Sequence, residues 1–334
     1  MKAAVLERYD REGRRLEIVE LPDPEPKGSE VLVRILAVGV NPLDNMIVRG
    51  EVKAIVNYRM PLVMGNELCG IVEGRGPSAS RFPLGTRVYG RLPLEHIRAF
   101  ADLIAVDESA LAEVPAYLDD TEAATVPLGA LTALQALEVL GAKQGDSLFI
   151  SGGSGSLGAI AIPIAARRGL HVFTSGGAES RERVLALGAE RFFDYRTEDY
   201  ADMLSGVDCV IDTLGERELA REFSILKEGG HLVSLRGMPN GRFAKRSGMG
   251  FGRRLVFGAA GMKFDRMARK RRQTYDFLFV HENGKQLAEL DQLFDAEHPL
   301  RPSVDAVFAL DEVNEAMEKV LSGKSKGKTV LKLS

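Results

Sequence analysis

"ISGGSGSLGAIA", residues 150–161, follows the apolar run Ser147-Leu148-Phe149-Ile150 and contains Gly153-x-Gly155-x-x-Gly158. A strand before such a loop and a helix after it give each glycine a physical task. A side chain at Gly153 or Gly155 would obstruct the tight turn or keep a pyrophosphate off the backbone, and Gly158 lets the helix pack close to the strand. The first amides of that helix then meet the phosphates, where the helix dipole favours negative charge. Gly153, Ser154, Gly155, Ser156, Leu157 and Gly158 are therefore the candidate dinucleotide cradle.

The motif gains its weight from what surrounds it. From Gly145 onward, "SLFIS", "LHVFTS", "ERFFDY", "VDCVIDTLG", "GHLVSLRG" and "RLVFGAAG" read as strands, with helices over 157–168, "RERVLALG" and "LAREFSILK" between them. Strands in βα alternation, apolar enough to be buried on both faces, predict a doubly wound parallel sheet, the Rossmann dinucleotide fold. Upstream, residues 1–120 alternate short β-rich runs ("KAAVLE", "EVLVRILAV", "CGIVEG", "TRVYGR") with Gly/Pro clusters such as "PDPEPKGSE", the pattern of a compact β-rich domain. Between the two, Leu131, Leu134, Leu137 and Leu140 fall at helical spacing and end at Gly141. The expected division is a first domain over 1–120, a dinucleotide-binding domain over 121–270 and a C-terminal segment over 271–334.

The second strand decides which dinucleotide is expected. An NAD site places Asp or Glu about 20 residues after the loop to hold the ribose hydroxyls; here that strand ends Thr174-Ser175-Gly176-Gly177. A carboxylate about 4 Å from a 2′-phosphate would repel it by roughly 4 kcal/mol per charge pair at an effective dielectric near 20. Its absence admits NADP(H). Ser175 can donate a hydrogen bond to that phosphate, Arg181 or Arg183 can pair with it, and Tyr195, ending the third strand, is within reach of the adenosine ribose.

Composition sets the outer limits. The 334 residues suffice for two packed domains, and 45% hydrophobic, 27% charged and a net charge of -3 describe an ordinary folded chain, with no bulk charge aimed at nucleic acid. "MKAAVLERYD" has no apolar signal core, and no stretch reaches the roughly 18 apolar residues of a membrane span, so a cytoplasmic location is expected. The two cysteines, Cys69 and Cys209, sit in apolar runs and read as reduced core residues.

Beyond these readings, "NPLDNMIVRGE" (41–51), "PLVMGNELCGIVEG" (61–74), "RVYGRLP" (87–93), "EAATVPLGALTALQAL" (122–137) and "GKSKGKTVLKL" (323–333) resemble the medium-chain dehydrogenase/reductases, in particular the zinc-independent quinone oxidoreductases and enone reductases. The resemblance implies an α/β chain in which a GroES-like β-rich catalytic domain joins the Rossmann sheet and the C-terminal segment returns to the catalytic domain. It places Asn41 near the nicotinamide ribose and Thr132 at the nicotinamide end. Leu214 and Leu235, at the ends of the fourth and fifth strands, would border the cofactor, and Lys328 matches the family's terminal "GK". Asn41 and Tyr58 are the candidate catalytic residues, Tyr58 as acid or substrate contact. Similar proteins commonly form homodimers through the sixth strand of the dinucleotide domain, a part "RLVFGAAG" would play here.

Zinc-dependent members of that superfamily use a cysteine in the first of these segments and a histidine before the glutamate in the second. The matching positions here are Pro42–Asp44 and Asn66, without the thiolate or imidazole of a tetrahedral site, so no metal is expected. Without a Lewis acid, conjugated acceptors are the easier targets, because hydride addition spreads charge onto a delocalised enolate or hydroquinone oxygen that a few hydrogen bonds can stabilise. The expectation is an NADPH-dependent reductase of a small-molecule quinone or α,β-unsaturated carbonyl. The rival comes from "RFAKRSGMGFGRRLVFGAAGMKFDRMARKRR", residues 242–272, with eleven Lys or Arg against Asp265 alone: a nucleotide-sensing or RNA-binding protein on the same fold without turnover. Against it, no aromatic interleaving accompanies the charge.

Overall fold

A computed structural model describes residues 1–12, 16–323 and 325–333, and among these the chain forms sixteen strands in three sheets. The first eight strands are β1 (Lys2–Leu6), β2 (Glu17–Glu20), β3 (Glu30–Val40), β4 (Leu62–Val63), β5 (Glu67–Arg75), β6 (Arg87–Arg91), β7 (Leu103–Asp107) and β8 (Leu111–Glu113). Then come β9 (Ser147–Ile150), β10 (His171–Gly176), β11 (Arg191–Asp194), β12 (Val207–Asp212), β13 (Leu226–Ser234) and β14 (Thr274–Phe277), and finally β15 (Val304–Ala309) and β16 (Lys328–Lys332). The chain divides into two units, one of Met1–Leu131 with His281–Ser334, the other of Thr132–Val280.

In the first unit β1, β2 and β4 form a small antiparallel sheet, while the larger sheet runs β15-β16-β3-β5-β6-β8, with β7 also on β3. Along β3 the first residues alternate between buried and half-buried, as a strand with one core face should; its last four are all buried. That fully buried end leads into Asn41 and the helix Pro42–Val48, which begins on a proline whose missing amide would have lacked a partner there anyway.

The second unit is a six-stranded, wholly parallel sheet in the order β11-β10-β9-β12-β13-β14. Numbered from β9, this is 3-2-1-4-5-6, the order of the doubly wound dinucleotide fold that the sequence predicts. β9 and β12 are buried almost throughout, consistent with helices over both faces. Phe149, Phe193, Tyr200, Phe223, Phe264 and Tyr275 build a core on this sheet, with Phe149 and Tyr200 stacked at 4.4 Å between centroids. The helix after the glycine loop, Gly158–Arg167, continues through Pro163.

Two expectations change. "RLVFGAAG" is not the sixth strand; it lies in the helix Phe251–Ala260, and the outer strand is β14, where Tyr275 is fully buried. A short continuous apolar run fits a buried strand and a helix equally, and here only Phe257 of that helix is buried. The stretch therefore offers no strand edge for a partner. The division also falls later than 120 and 270: the helix Pro127–Leu140 crosses the first boundary, and β14 pairs with β13 before the chain leaves the second unit.

Candidate functional site

The loop between β9 and the helix Gly158–Arg167 is held from below. Thr174 Oγ donates to the Ile150 carbonyl at 2.6 Å and accepts from the Gly153 amide at 3.0 Å, so β10 fixes where the turn starts. A Cβ on Gly158 would lie 2.6 Å from Gly153 Cα, and one on Gly176 would lie 2.7 Å from Ser154 Cβ. Those glycines are demanded by the protein's own packing. Gly155 differs: a Cβ there would meet nothing closer than the Gly152 carbonyl at 3.6 Å, and its φ is not in the left-handed region. The protein leaves that space open, and the amides of Ser156 and Leu157 beside it find no acceptor among the described residues. Open space next to orphaned amides at a helix start is what an anionic pyrophosphate requires.

The neighbouring strand ends complete this cradle. Asp212 accepts from the amides of Leu214 at 2.8 Å and Gly215 at 2.7 Å and from the Ser234 hydroxyl, which fixes the turn after β12 and leaves Leu214 52% exposed. Burial holds the Asp212 carboxyl above the usual carboxylate range, against those hydrogen bonds. Leu235 follows β13, its amide on the Asp212 carbonyl at 2.9 Å. Ser175 is buried at the end of β10, and Tyr195, past the end of β11, is exposed with the Arg196 guanidinium 5.3 Å from its ring centroid. Thr132 is buried in the helix Pro127–Leu140.

The two candidate arginines separate. Arg181 donates to the Phe192 carbonyl at 3.0 Å and to Glu198 at 2.5 Å, a structural clamp on the end of β11. Hydrogen bonds from the Asp194 amide and then from Arg181 hold the Glu198 carboxyl below its ordinary range. Arg183 instead reaches the glycine loop, donating to the Ser154 carbonyl at 2.7 Å. Of the pair, Arg183 is the one positioned on the cradle.

The first unit contains a buried polar cluster that the sequence shows only in fragments. Asn41 Nδ2 donates to the Gly39 carbonyl at 3.1 Å and to Glu67 Oε1 at 2.8 Å, while Asn41 Oδ1 accepts from Lys328 Nζ at 2.5 Å. Lys328 also pairs with Glu67 at 2.7 Å, and Glu67 Oε2 accepts from the Leu128 amide at 2.7 Å. Asp44 accepts from the Asn41 amide and from Asn66 Nδ2, each at 2.7 Å. Asn41, Asp44, Asn66, Glu67 and Lys328 are all buried. Burial pushes the Asp44 carboxyl up to about 7, with the Glu67 charge adding to the rise and the hydrogen bonds opposing it. Asn41 is thereby fully engaged by protein partners, whereas Lys328 keeps a third ammonium hydrogen without an acceptor among the described residues.

Asp44, within the Pro42–Asp44 stretch, and Asn66 bond to each other. An amide, a carboxyl and a neighbouring ammonium do not make a zinc site, and among the described residues no group of three or more His, Cys, Asp or Glu is arranged to hold a metal. Tyr58, the other catalytic candidate, is buried with its hydroxyl donating to the Leu94 carbonyl at 2.7 Å. Burial raises its pKa, the nearby Arg91 charge opposing. Arg91 was not foreseen as a site residue. It is fully buried, donates to the Leu92 carbonyl, lies 3.6 Å from Glu282, and has Nε and Nη2 without partners among the described residues. Its pKa falls to about 10 through desolvation. Charged letters inside apolar stretches, Glu67 in "GNELCGIV" and Arg91 in "VYGRL", were the available signals.

Comparison with known proteins agrees with this geometry. Residues 27–116 match the family described as alcohol dehydrogenase GroES-like domain, and residues 187–331 match zinc-binding dehydrogenase. The 2-methylene-furan-3-one reductase of Solanum lycopersicum is 28% identical over 322 residues, covering 92% of this chain and 73% of the relative. A solved alcohol dehydrogenase superfamily protein from Novosphingobium aromaticivorans is 30% identical with a TM-score of 0.84 over all of both chains. The quinone oxidoreductase of Thermus thermophilus, also solved in complex with NADPH, is 27% identical with a TM-score of 0.77, again over all of both chains. With the β11-β10-β9-β12-β13-β14 sheet and the glycine cradle beneath these matches, the chain belongs to the medium-chain dehydrogenase/reductases, in their zinc-independent quinone oxidoreductase branch.

Proposed function

We propose that this protein is an NADPH-dependent reductase of quinones or α,β-unsaturated carbonyls. The observation that carries the reading is the open space at Gly155 beside the amides of Ser156 and Leu157, at the end of a parallel sheet whose second strand ends Ser175-Gly176 without an acid. Those amides would hold the pyrophosphate. Ser175 and Arg183 would hold the 2′-phosphate, with Tyr195 against the adenosine, and Leu214, Leu235 and Thr132 would border the rest. When bound, the cofactor supplies a hydride, and with one proton from solvent this completes a two-electron reduction. Within the first unit, Lys328, with an ammonium hydrogen to spare, would be the cluster's donor to a ligand oxygen, and Asn41 and Glu67 the positioning residues that fix it. The relatives' names support both acceptor classes, one a furanone reductase and one a quinone oxidoreductase.

The test is NADPH oxidation by chelator-treated protein against an alkyl enone and an ortho-quinone, with NADH in parallel and products identified. Reduction of the carbon–carbon bond or of the quinone, faster with NADPH, is expected. Tight NADPH binding with no turnover on either acceptor would reject the reductase reading in favour of a nucleotide-binding protein on this fold.

A further inference from the structure

The helix Phe251–Ala260 turns its apolar side outward. Phe251 is 77% exposed, Leu255 60% and Val256 66%, while Phe257 alone is buried. At 100° per residue, Phe251, Leu255, Ala259, Gly252 and Val256 share an arc of roughly 140°, with Arg253 beyond one margin and Arg254 beyond the other. The next helix, Met262–Lys270, buries Phe264 and Ala268 and presents Lys263, Arg266, Arg269 and Lys270 together with Met262, 38% exposed, on the opposite side. Asp265, the one acid between residues 242 and 272, lies beside Asn240, whose side chain donates to it at 3.0 Å. Arg253, Arg266, Lys270 and Arg271 have no acidic partner among the described residues.

A large apolar arc on the surface of a folded domain ordinarily marks something that covers it. We propose that this helix pair docks the protein on an anionic lipid surface, with the Phe251–Leu255–Val256 arc in the interface and the surrounding cations on the headgroups. Three features select this occupant. Phe251, Leu255 and Val256 are each exposed over more than half of their surface, as residues that enter a bilayer interface must be, whereas the walls of a peptide groove are largely covered. Cations border the arc on both sides and fill the adjoining helix, the distribution by which in-plane helices hold anionic bilayers. A second copy seated two-fold on the same face would bring Arg253 and Arg254 against their equivalents with no acid to offset them.

The assay is co-sedimentation of the 334-residue chain with vesicles of phosphatidylcholine alone and of phosphatidylcholine with phosphatidylglycerol. Wild type is expected to bind the anionic vesicles, weakly or not at all the neutral ones, and to be released by high salt. Leu255→Asp/Val256→Asp and, separately, Arg253→Glu/Lys270→Glu should each weaken partitioning by about tenfold or more, as loss of two interfacial contacts would. These side chains are exposed, and an unchanged circular dichroism spectrum verifies folding. Equal binding by wild type and both variants, or none by wild type, overturns the proposal. So does a wild-type dimer in light scattering that Leu255→Asp/Val256→Asp converts to monomer, which would assign the arc to a second copy. RNA binding that follows the cations and ignores Leu255, without vesicle binding, would overturn it in favour of nucleic acid. Because the readout is partitioning, failure here leaves the reductase assay untouched, and the reverse holds.

Discussion

Asp44 provides the sharpest test of the buried cluster. Its carboxyl stands at about 7 in the folded protein against an ordinary 3.8. The unfolded chain therefore ionises this group at lower pH than the folded one does. Stability from the protonated, buried acid is fully present below about pH 4 and is lost as pH rises through about 7. A difference of about 3 pH units corresponds to about 4 kcal/mol, of which roughly 2–3 kcal/mol is lost between about pH 5 and about pH 8. Asp44→Asn removes this titration while keeping an acceptor for the Asn41 amide. Its new amide group can also satisfy Asn66 Oδ1, now buried without a partner, once the Asn66 side chain flips. Urea unfolding of wild type and variant in parallel, across this pH range, isolates the effect, since other titrating groups cancel in the difference. The variant should gain roughly 2–3 kcal/mol on wild type from the acidic to the alkaline end. A difference that stays flat with pH would refute the assignment of a buried, proton-holding Asp44.

Gly155→Ala should leave the melting temperature nearly unchanged, because nothing protein-borne lies within 3.6 Å of the new methyl, yet weaken NADPH binding in a fluorescence titration. Gly158→Ala should lower the melting temperature itself, since its methyl collides with the Gly153 backbone. Arg183→Ala is expected to reduce kcat/KM for NADPH about ten- to a hundredfold, the worth of a charge-assisted hydrogen bond, with little change for NADH; Arg181→Ala should instead loosen β11 and affect both cofactors alike. Lys328→Met and Glu67→Gln should each destabilise by about 3–5 kcal/mol. The double substitution should cost clearly less than their sum, and strict additivity in urea unfolding would show that the pair is not coupled.

The dinucleotide sheet was legible because its signals are local. The glycine spacing, the apolar strands of β9 and β12 and the helices between them each declare themselves within a few residues. What the sequence concealed was long-range. Nothing near Lys328 says that it meets Asn41 and Glu67, and a loop lysine and a buried one share the same letters. Arg181 and Arg183 lie two positions apart on one helix, so only the side-chain paths separate the strand clamp from the loop contact. "RLVFGAAG" failed as a strand because a short apolar run fits a buried strand and a helix equally, and the competing β14, "TYDF", is interrupted by a carboxylate paired to His231 and Arg246.

The bond between Lys328 and Asn41 spans 287 residues. The sheet of the second unit is drawn from one uninterrupted stretch, Thr132–Val280, whereas the first unit joins two segments on either side of it. At about 5–20 residues per second of synthesis, roughly 15 to 60 s separate the appearance of Asn41 from that of Lys328. During that interval Glu67 has no ammonium to neutralise it, and β3 has no β16 along its flank. Every residue of the dinucleotide sheet is synthesised before Lys328. A chain held at any point between the end of β14 and Lys328 would therefore have every strand of the dinucleotide sheet and its glycine cradle but leave Glu67 without its ammonium partner.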